Sequence, residues 1–273
     1  MSKISIITVC FNSAKTIRDT LDSVAKQKYD DYEYIVIDGE SNDDTLSIVE
    51  KYKDRIKSLN IVCEQDNGIF DAMNKGIKKS QSPIIGIINS DDWYSDDSLK
   101  FVAEYFEQNP NIDILAGSTY FTDYNKNVLE YRLCGKVEKY IEKVMPLNHP
   151  AMFVKKELYE KLNGYNLKYK LASDYDFVCR AYLSGAQIYI VDNVLAYMRA
   201  EGATSSFGNL QGLRRQLVAA YEEKKIIENN FNHSCMLRYC IRVFTILFKY
   251  VLYKLHLADK VIAIKRKIFG RWM

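Results

Sequence analysis

The sequence predicts an α/β protein: a largely parallel central sheet flanked by helices, followed by a C-terminal helical extension. Three observations carry that expectation. Short β-branched runs alternate with segments of helical apolar spacing through the first ninety residues, which is the rhythm of right-handed βαβ units. The run 84–88 is apolar apart from one glycine and stops at Asn89-Ser90-Asp91-Asp92, as a buried strand does when it leaves the carboxyl edge of a sheet. From about residue 210 the pattern is helical to the end.

Ile4-Ser5-Ile6-Ile7-Thr8-Val9 reads as the first strand, because β-branched residues pack well on a pleated surface. It ends at Cys10-Phe11-Asn12-Ser13, where Asn12 or Ser13 can cap a helix. Ile17, Leu21, Val24 and Ala25 then give one buried helical face. Tyr34-Ile35-Val36-Ile37 is a second strand stopping at Asp38-Gly39, and Thr45 opens a helix with Leu46, Val49, Tyr52 and Ile56 along one side. Ile61-Val62-Cys63 is a short third strand, Ile69, Ala72, Met73, Gly76 and Ile77 mark a third helix, and 84–88 is the fourth strand. After Asp92 the rhythm changes. A helix near 98–108 precedes a strand at 112–116, and 120–133 alternates like a hairpin. Pro146 and Pro150 bracket a loop, a helix opens at Ala172-Ser173-Asp174-Tyr175-Asp176, and short strands are expected at 188–191 and 195–198. With no internal repeat or low-complexity linker, the expected division is an α/β domain over 1–206 and a helical extension over 207–273.

Composition bounds the function. With 48% hydrophobic and 27% charged residues the chain can build a core, which excludes wholesale disorder. The net charge of +3 hides an asymmetry: from Cys235 to Met273 nine Lys or Arg stand against the single Asp259, a net of +8, leaving −5 for the rest. A net-acidic globular part argues against a nucleic-acid partner. Six cysteines without CxxC spacing and three histidines make no zinc pattern, so buried free thiols in a reducing setting are expected. The amino terminus runs directly into a strand with no basic-then-apolar leader, which points to a cytoplasmic protein. In the tail no uncharged apolar run approaches the roughly 20 residues of a spanning helix. Arg238, Arg242, Lys249, Lys260 and Lys267 fall on one side if it is helical. That pattern suits an anionic membrane surface and a peripheral position on the inner face of the membrane. The alternative is a helix packed on the α/β domain or on a dimer partner.

Four acidic clusters fall at strand ends or helix starts: Asp38, Asp66, Asp91-Asp92 and Asp174. A parallel sheet puts the first three on one edge, where open α/β folds bind ligands. The GxGxxG, GxxxxGK[ST] and GxSxG fingerprints are all missing from their places. Carboxylates gathered without those loops suit a nucleotide held through a divalent metal, Mn²⁺ or Mg²⁺, that neutralises a leaving diphosphate.

These residues carry a resemblance. Over roughly residues 3–206 the chain resembles the inverting GT-A glycosyltransferases of family 2, and in particular a subgroup that builds bacterial surface polysaccharides. The matching strings are Ile6-Ile7-Thr8-Val9-Cys10-Phe11-Asn12, Asp38-Gly39-Glu40-Ser41-Asn42-Asp43-Asp44-Thr45, Asp66-Asn67-Gly68-Ile69-Phe70-Asp71-Ala72-Met73-Asn74-Lys75-Gly76, and Ser90-Asp91-Asp92 in the place of the metal motif. The resemblance implies a GT-A nucleotide-sugar-binding fold and transfer of a sugar, from a UDP-sugar above all, to a hydroxyl of a lipid-linked or growing glycan. It implies that Thr8 and Asn12 border the nucleotide-sugar, Asp38 contacts the base, and Asp66, Asn67 and Asn74 shape the nucleotide pocket. Asp91 would hold ribose and Asp92 the metal. Asp174 stands in the place of the general base, with Asp176 as its rival, since inverting transfer needs one base and no carboxylate nucleophile. Asp43 and Asp71 read as structural. His149 is a candidate contact to acceptor or phosphate, and Arg199 is a candidate to close over the diphosphate from a flexible loop. Two other readings stand beside this one. A sugar nucleotidyltransferase would need a Gly-rich basic loop that Cys10-Phe11-Asn12-Ser13 does not supply. A catalytically silent nucleotide-sugar-binding scaffold would have no use for Asp92 and Asp174 together.

Overall fold

The computed structural model describes residues 3–56, 58–200 and 209–255. The chain forms two compact units, 1–200 and 201–273. The first is built on one mixed sheet. β1 (Ile4–Cys10), α1 (Ile17–Ala25), β2 (Tyr32–Asp38), α2 (Thr45–Glu50), β3 (Leu59–Cys63), α3 (Ile69–Lys79) and β4 (Ile84–Ile87) follow one another as the alternation predicts. β1 lies between β2 and β4, and β3 lies outside β2, all four parallel. Every residue of β1 is buried, because helices cover both faces of a parallel sheet. Ile17, Leu21 and Val24 of α1 are fully covered on one side. α2 ends at Glu50, sooner than its apolar spacing predicts, but Tyr52 and Ile56 still reach the core through the turns that follow.

The second half completes the sheet in mixed orientation. β5 (Trp93–Tyr94), α4 (Ser98–Gln108), β6 (Ile114–Thr122), β7 (Val128–Arg132), α5 (Val137–Tyr140), a 3-10 turn at His149–Ala151, β8 (Met152–Lys155), α6 (Lys156–Lys161), α7 (Ser173–Leu183) and β9 (Ile188–Arg199) follow in order. The strand order is β3-β2-β1-β4-β8-β6-β9-β5, with β7 paired to β6. Where the sequence predicts two short strands, a single strand, β9, runs parallel to β6. The polar Asp192-Asn193 break in its apolar pattern is absorbed by register shifts around Ser118. The second unit contains α8 (Leu210–Phe231) and α9 (Met236–Lys254), and none of the described helices is long and apolar enough to cross a membrane. The six cysteines are free thiols, though Cys63 and Cys240 are exposed rather than buried as expected.

Candidate functional site

Four parallel strands end on the same edge, so Asp38 at the end of β2, Asp66 after β3 and Asn89-Ser90-Asp91-Asp92 after β4 converge there. β8 runs antiparallel to β4, with Gly86 opposite Phe153. Continuing that register places the His149–Ala151 turn beside the exit of β4. Asp174, in the first turn of α7, lies close enough to His149 for its charge to act on the imidazole. All the acidic clusters therefore meet on one rim.

The acidic turn after β4 is fastened from several sides. Thr20 of α1 donates its hydroxyl to the Asp92 carbonyl at 2.6 Å, and the hydroxyls of Ser13 and Ser90 lie 2.8 Å apart. The backbone N–H of Arg199 donates to Asp92 Oδ1 at 3.0 Å, and Asn89 Nδ2 stands 3.5 Å from Oδ2. Asp92 is 4% exposed, while Asp91 is half-buried. Burial and the neighbouring charge of Asp91 push the Asp92 carboxyl well above the ordinary carboxylate range; burial raises Asp91 as well. Two carboxylates in this state are short of positive charge. Beside them Asn89 Oδ1 is buried with no hydrogen-bond partner. An orphaned amide oxygen next to two under-compensated carboxylates is a hard-oxygen donor set, and it fits a divalent cation. Among the described residues no three His, Cys, Asp or Glu side chains form a closed metal cage. A cation held here would draw its remaining ligands from water and from the phosphates of a bound nucleotide, the usual coordination of Mg²⁺.

Arg199 is not on a mobile loop. It is the last residue of β9, 6% exposed, and each nitrogen of its guanidinium has a partner. Nη2 is paired with Asp19 Oδ2 at 2.7 Å, Nη1 donates to the Tyr124 carbonyl at 2.7 Å, and Nε donates to the Asp91 carbonyl at 3.2 Å. The ring of Trp93, stacked on Tyr197, lies 5.1 Å from the guanidinium carbon. The physical reason is burial: a desolvated guanidinium must spend its donors on fixed acceptors, and here they fix the acidic turn. The segment 201–208, where the expected loop would continue, lies outside the described residues.

The half of the rim at the ends of β2 and β3 is a mixture of accessible and sealed groups. Asp38 is fully buried, and its oxygens accept from Ser41 N–H at 2.8 Å, Ser41 Oγ at 2.6 Å, Cys10 Sγ at 3.4 Å and Cys63 Sγ at 3.5 Å. Burial first, and the Asp38 charge second, raise the Cys10 thiol pKa, so that thiol stays a donor. Asp38 is therefore sealed beneath the rim rather than open at its surface. Asp66 is half-buried, with Oδ1 accepting from Gly68 N–H at 2.8 Å. Its Oδ2 lies over Gly39, where a Cβ would sit only 2.4 Å away, so a side chain at 39 would push the Asp66 carboxylate aside. Phe11 edges the same spot and is 60% exposed. An exposed ring beside a carboxylate offers a flat base both a stacking face and a hydrogen-bond acceptor. No sequence pattern singles out Phe11, since lone loop aromatics are common; its exposure in the fold does. Asn67 is exposed on the same rim, and Lys170 Nζ approaches its carbonyl at 3.4 Å.

Three of the expected contact residues make structural bonds. Thr8 is fully buried within β1 and accepts from the Tyr34 hydroxyl at 2.9 Å, one layer below the edge. Asn12, at φ +51°, joins two loops: its N–H donates to Ser41 Oγ at 2.9 Å and its Oδ1 accepts from Asn42 N–H at 2.8 Å. Asn74 clamps the backbone of Tyr165, donating to its carbonyl at 2.9 Å and accepting from its N–H at 2.8 Å. Gly164 beside it has φ +64°, and a Cβ there would stand 2.4 Å from Asn74 Oδ1.

That clamp serves the other half of the rim. The Tyr165 hydroxyl lies 3.1 Å from His149 Nε2 and 3.0 Å from the Tyr159 hydroxyl, a buried polar chain that ends against Asp174. Burial lowers the His149 pKa, opposed by the Asp174 charge, so the imidazole is neutral at pH 7. Asp176 is taken: it is 3% exposed and its Oδ2 accepts from Arg180 Nε at 2.7 Å. Asp174 is half-buried, the more exposed of the two, and its Oδ1 accepts from Tyr175 N–H at 2.9 Å.

A family model described as glycosyl transferase family 2 matches residues 5–186. A relative from Mycobacterium tuberculosis, named a PGL/p-HBAD biosynthesis glycosyltransferase, is 27% identical over 218 residues, 77% of this chain and 82% of the relative. Among solved structures, residues 1–349 of TarS from S. aureus, in complex with UDP-GlcNAc, superpose with a TM-score of 0.63 at 20% identity, covering 92% of this chain and 81% of that one. The chain spans 43% of the longer TarS chain. The mannosyltransferase PcManGT from Pyrobaculum calidifontis, in complex with GDP-Man and Mn²⁺, superposes with a TM-score of 0.64 at 16% identity over 97% of this chain and 75% of that one. These two likenesses show the fold.

Proposed function

Because the chain belongs to glycosyltransferase family 2 and has its GT-A fold, we propose that this glycosyltransferase moves a sugar, with inversion, from a UDP-sugar to a hydroxyl of a lipid-linked or growing surface glycan. The observation that carries the reading is the acidic turn, where Asn89 Oδ1 has no partner and Asp91 and Asp92 are under-compensated. The mycobacterial relative named a PGL/p-HBAD biosynthesis glycosyltransferase supports a biosynthetic sugar transfer, and the TarS complex with UDP-GlcNAc supports the uridine donor. Phe11 and Asp66 present a stacking face and an acceptor to the base, and Asp38 holds the floor beneath them through Ser41.

In the transfer step the acceptor oxygen bonds to the anomeric carbon as the bond from that carbon to the diphosphate oxygen breaks. The bonding pair leaves with the diphosphate, and the acceptor proton goes to the Asp174 carboxylate. Neutral His149, oriented by Tyr165, lies against Asp174 without competing for a cationic state. A divalent cation bound at Asp91, Asp92 and Asn89 supplies neutralisation of the diphosphate charge. The backbone of Arg199 keeps Asp92 aimed at that place.

The test separates binding from chemistry. Calorimetry with UDP and Mn²⁺ should show binding that EDTA abolishes, and Asp174→Asn should bind as the parent does. Transfer from UDP-sugar by that variant should fall by a factor of about 10² or more, the scale of a lost general base. UDP binding indifferent to EDTA would reject the metal assignment, and undiminished transfer by Asp174→Asn would reject the base.

A further inference from the structure

We propose that α9 seats this protein on an anionic lipid surface, lying flat in the interface with one apolar face turned down. Leu237, Ile241, Phe244, Phe248, Val251 and Leu255 follow at alternating steps of four and three, which puts them on one side of the helix. All six are exposed, from 50% for Val251 to 77% for Leu237. The opposite side is occupied: Ile246 is 7% exposed, Tyr239 meets Tyr221 of α8 edge-on, and Arg242 pairs with Glu223 at 2.6 Å. The apolar face is therefore what remains after α8 has taken its share of the helix, and an exposed stripe of this size marks an interaction surface.

Charge decides the occupant. From Met236 to Lys254 the helix carries Arg238, Arg242, Lys249 and Lys254 and no acidic residue, and the sequence beyond adds five more basic residues against Asp259. Arg242 is answered by Glu223 of α8, but the excess of nine basic residues over the single Asp259 in 236–273 is not offset within that segment, and a second copy laid on the same face would double it. Anionic headgroups offset that excess directly. At 19 residues α9 is about 28 Å long, yet its basic residues interrupt every apolar window, so the helix rests on the surface instead of crossing it. Nothing in this argument depends on the sugar-transfer reading, and its failure would leave that reading untouched.

The full chain is tested by flotation with vesicles of phosphatidylcholine alone and with added phosphatidylglycerol, at low and high salt. Binding should require phosphatidylglycerol and weaken as salt rises. Phe244→Gln/Phe248→Gln should lower the partition coefficient at least about tenfold, with an unchanged elution volume in size-exclusion chromatography. Leu237→Gln is a second, milder variant, should the double change disturb folding by circular dichroism. Equal partitioning of parent and variants would overturn the proposal, as would flotation on neither vesicle. A parent dimer that the apolar variants convert to monomer would assign the face to a second copy instead.

Discussion

Replacing Arg199 with methionine tests whether this side chain is a strut or a mobile clasp. The substitution keeps the length and the apolar stem and leaves intact the backbone N–H that donates to Asp92. It removes the pair with Asp19 and the two bonds to the Tyr124 and Asp91 carbonyls. Breaking a buried ion pair from one side costs about 3–5 kcal/mol, because the surviving charge stays desolvated. Asp19 is 26% exposed and keeps Lys126 as a partner, which places the cost at the lower end, about 3 kcal/mol. For a domain of this size that is a fall in Tm of about 6–12 °C by differential scanning calorimetry. Asp19→Leu combined with Arg199→Met should regain part of the loss, since an apolar pair leaves no stranded charge. A strut also predicts weaker UDP binding at temperatures where the variant is folded, because the Asp91 carbonyl loses its donor. If Tm moves by less than about 2 °C while transfer collapses, the guanidinium is free to reach substrate and the strut assignment is wrong.

Two further outcomes follow from the His149 side of the rim. The neutral imidazole belongs to the folded state, so its contribution to stability is whole above the unfolded value of 6.5 and is lost as pH falls below it. An NMR titration of His149 should therefore show a midpoint under 6.5, and a midpoint above it would mean that Asp174, not burial, governs the ring. Gly164→Ala should cost about 2 kcal/mol in urea denaturation, from a left-handed backbone and from contact with Asn74 Oδ1. Asn74→Ala should remove the steric share of that cost, and a simple sum of the two single losses would refute the clamp.

Much of the fold was legible because period-2 and period-3.6 apolar patterns are local quantities. β1 through β4 and their helices appear where Ile6, Ile17, Val36 and Met73 place them. β9 was read as two strands because Asp192-Asn193 interrupts the alternation, and only its pairing with β6 shows that the chain continues through a shift of register. The acidic rim was legible because carboxylates at the ends of parallel strands must share an edge. The division of labour within it was not. The partner of Asn74 is 91 residues away and that of Arg199 is 180 residues away, and no spacing rule reports such contacts. Phe11 and Tyr165 were missed for the opposite reason: single aromatics are common, and only exposure marks the first and a hydrogen-bonded position the second.

The loops at this rim are sewn to one another by side chains: Asn12 to Asn42, Ser13 to Ser90 and to Thr45, Asn74 to Tyr165. The stitching residues are different ones from the groups proposed to meet a ligand, Phe11, Asp66, Asn67 and Asp174. Donor and acceptor preference can therefore drift, or be engineered, by exchanging the presented side chains one at a time while the seams hold the loops in register. A change at a seam would be felt across several loops at once.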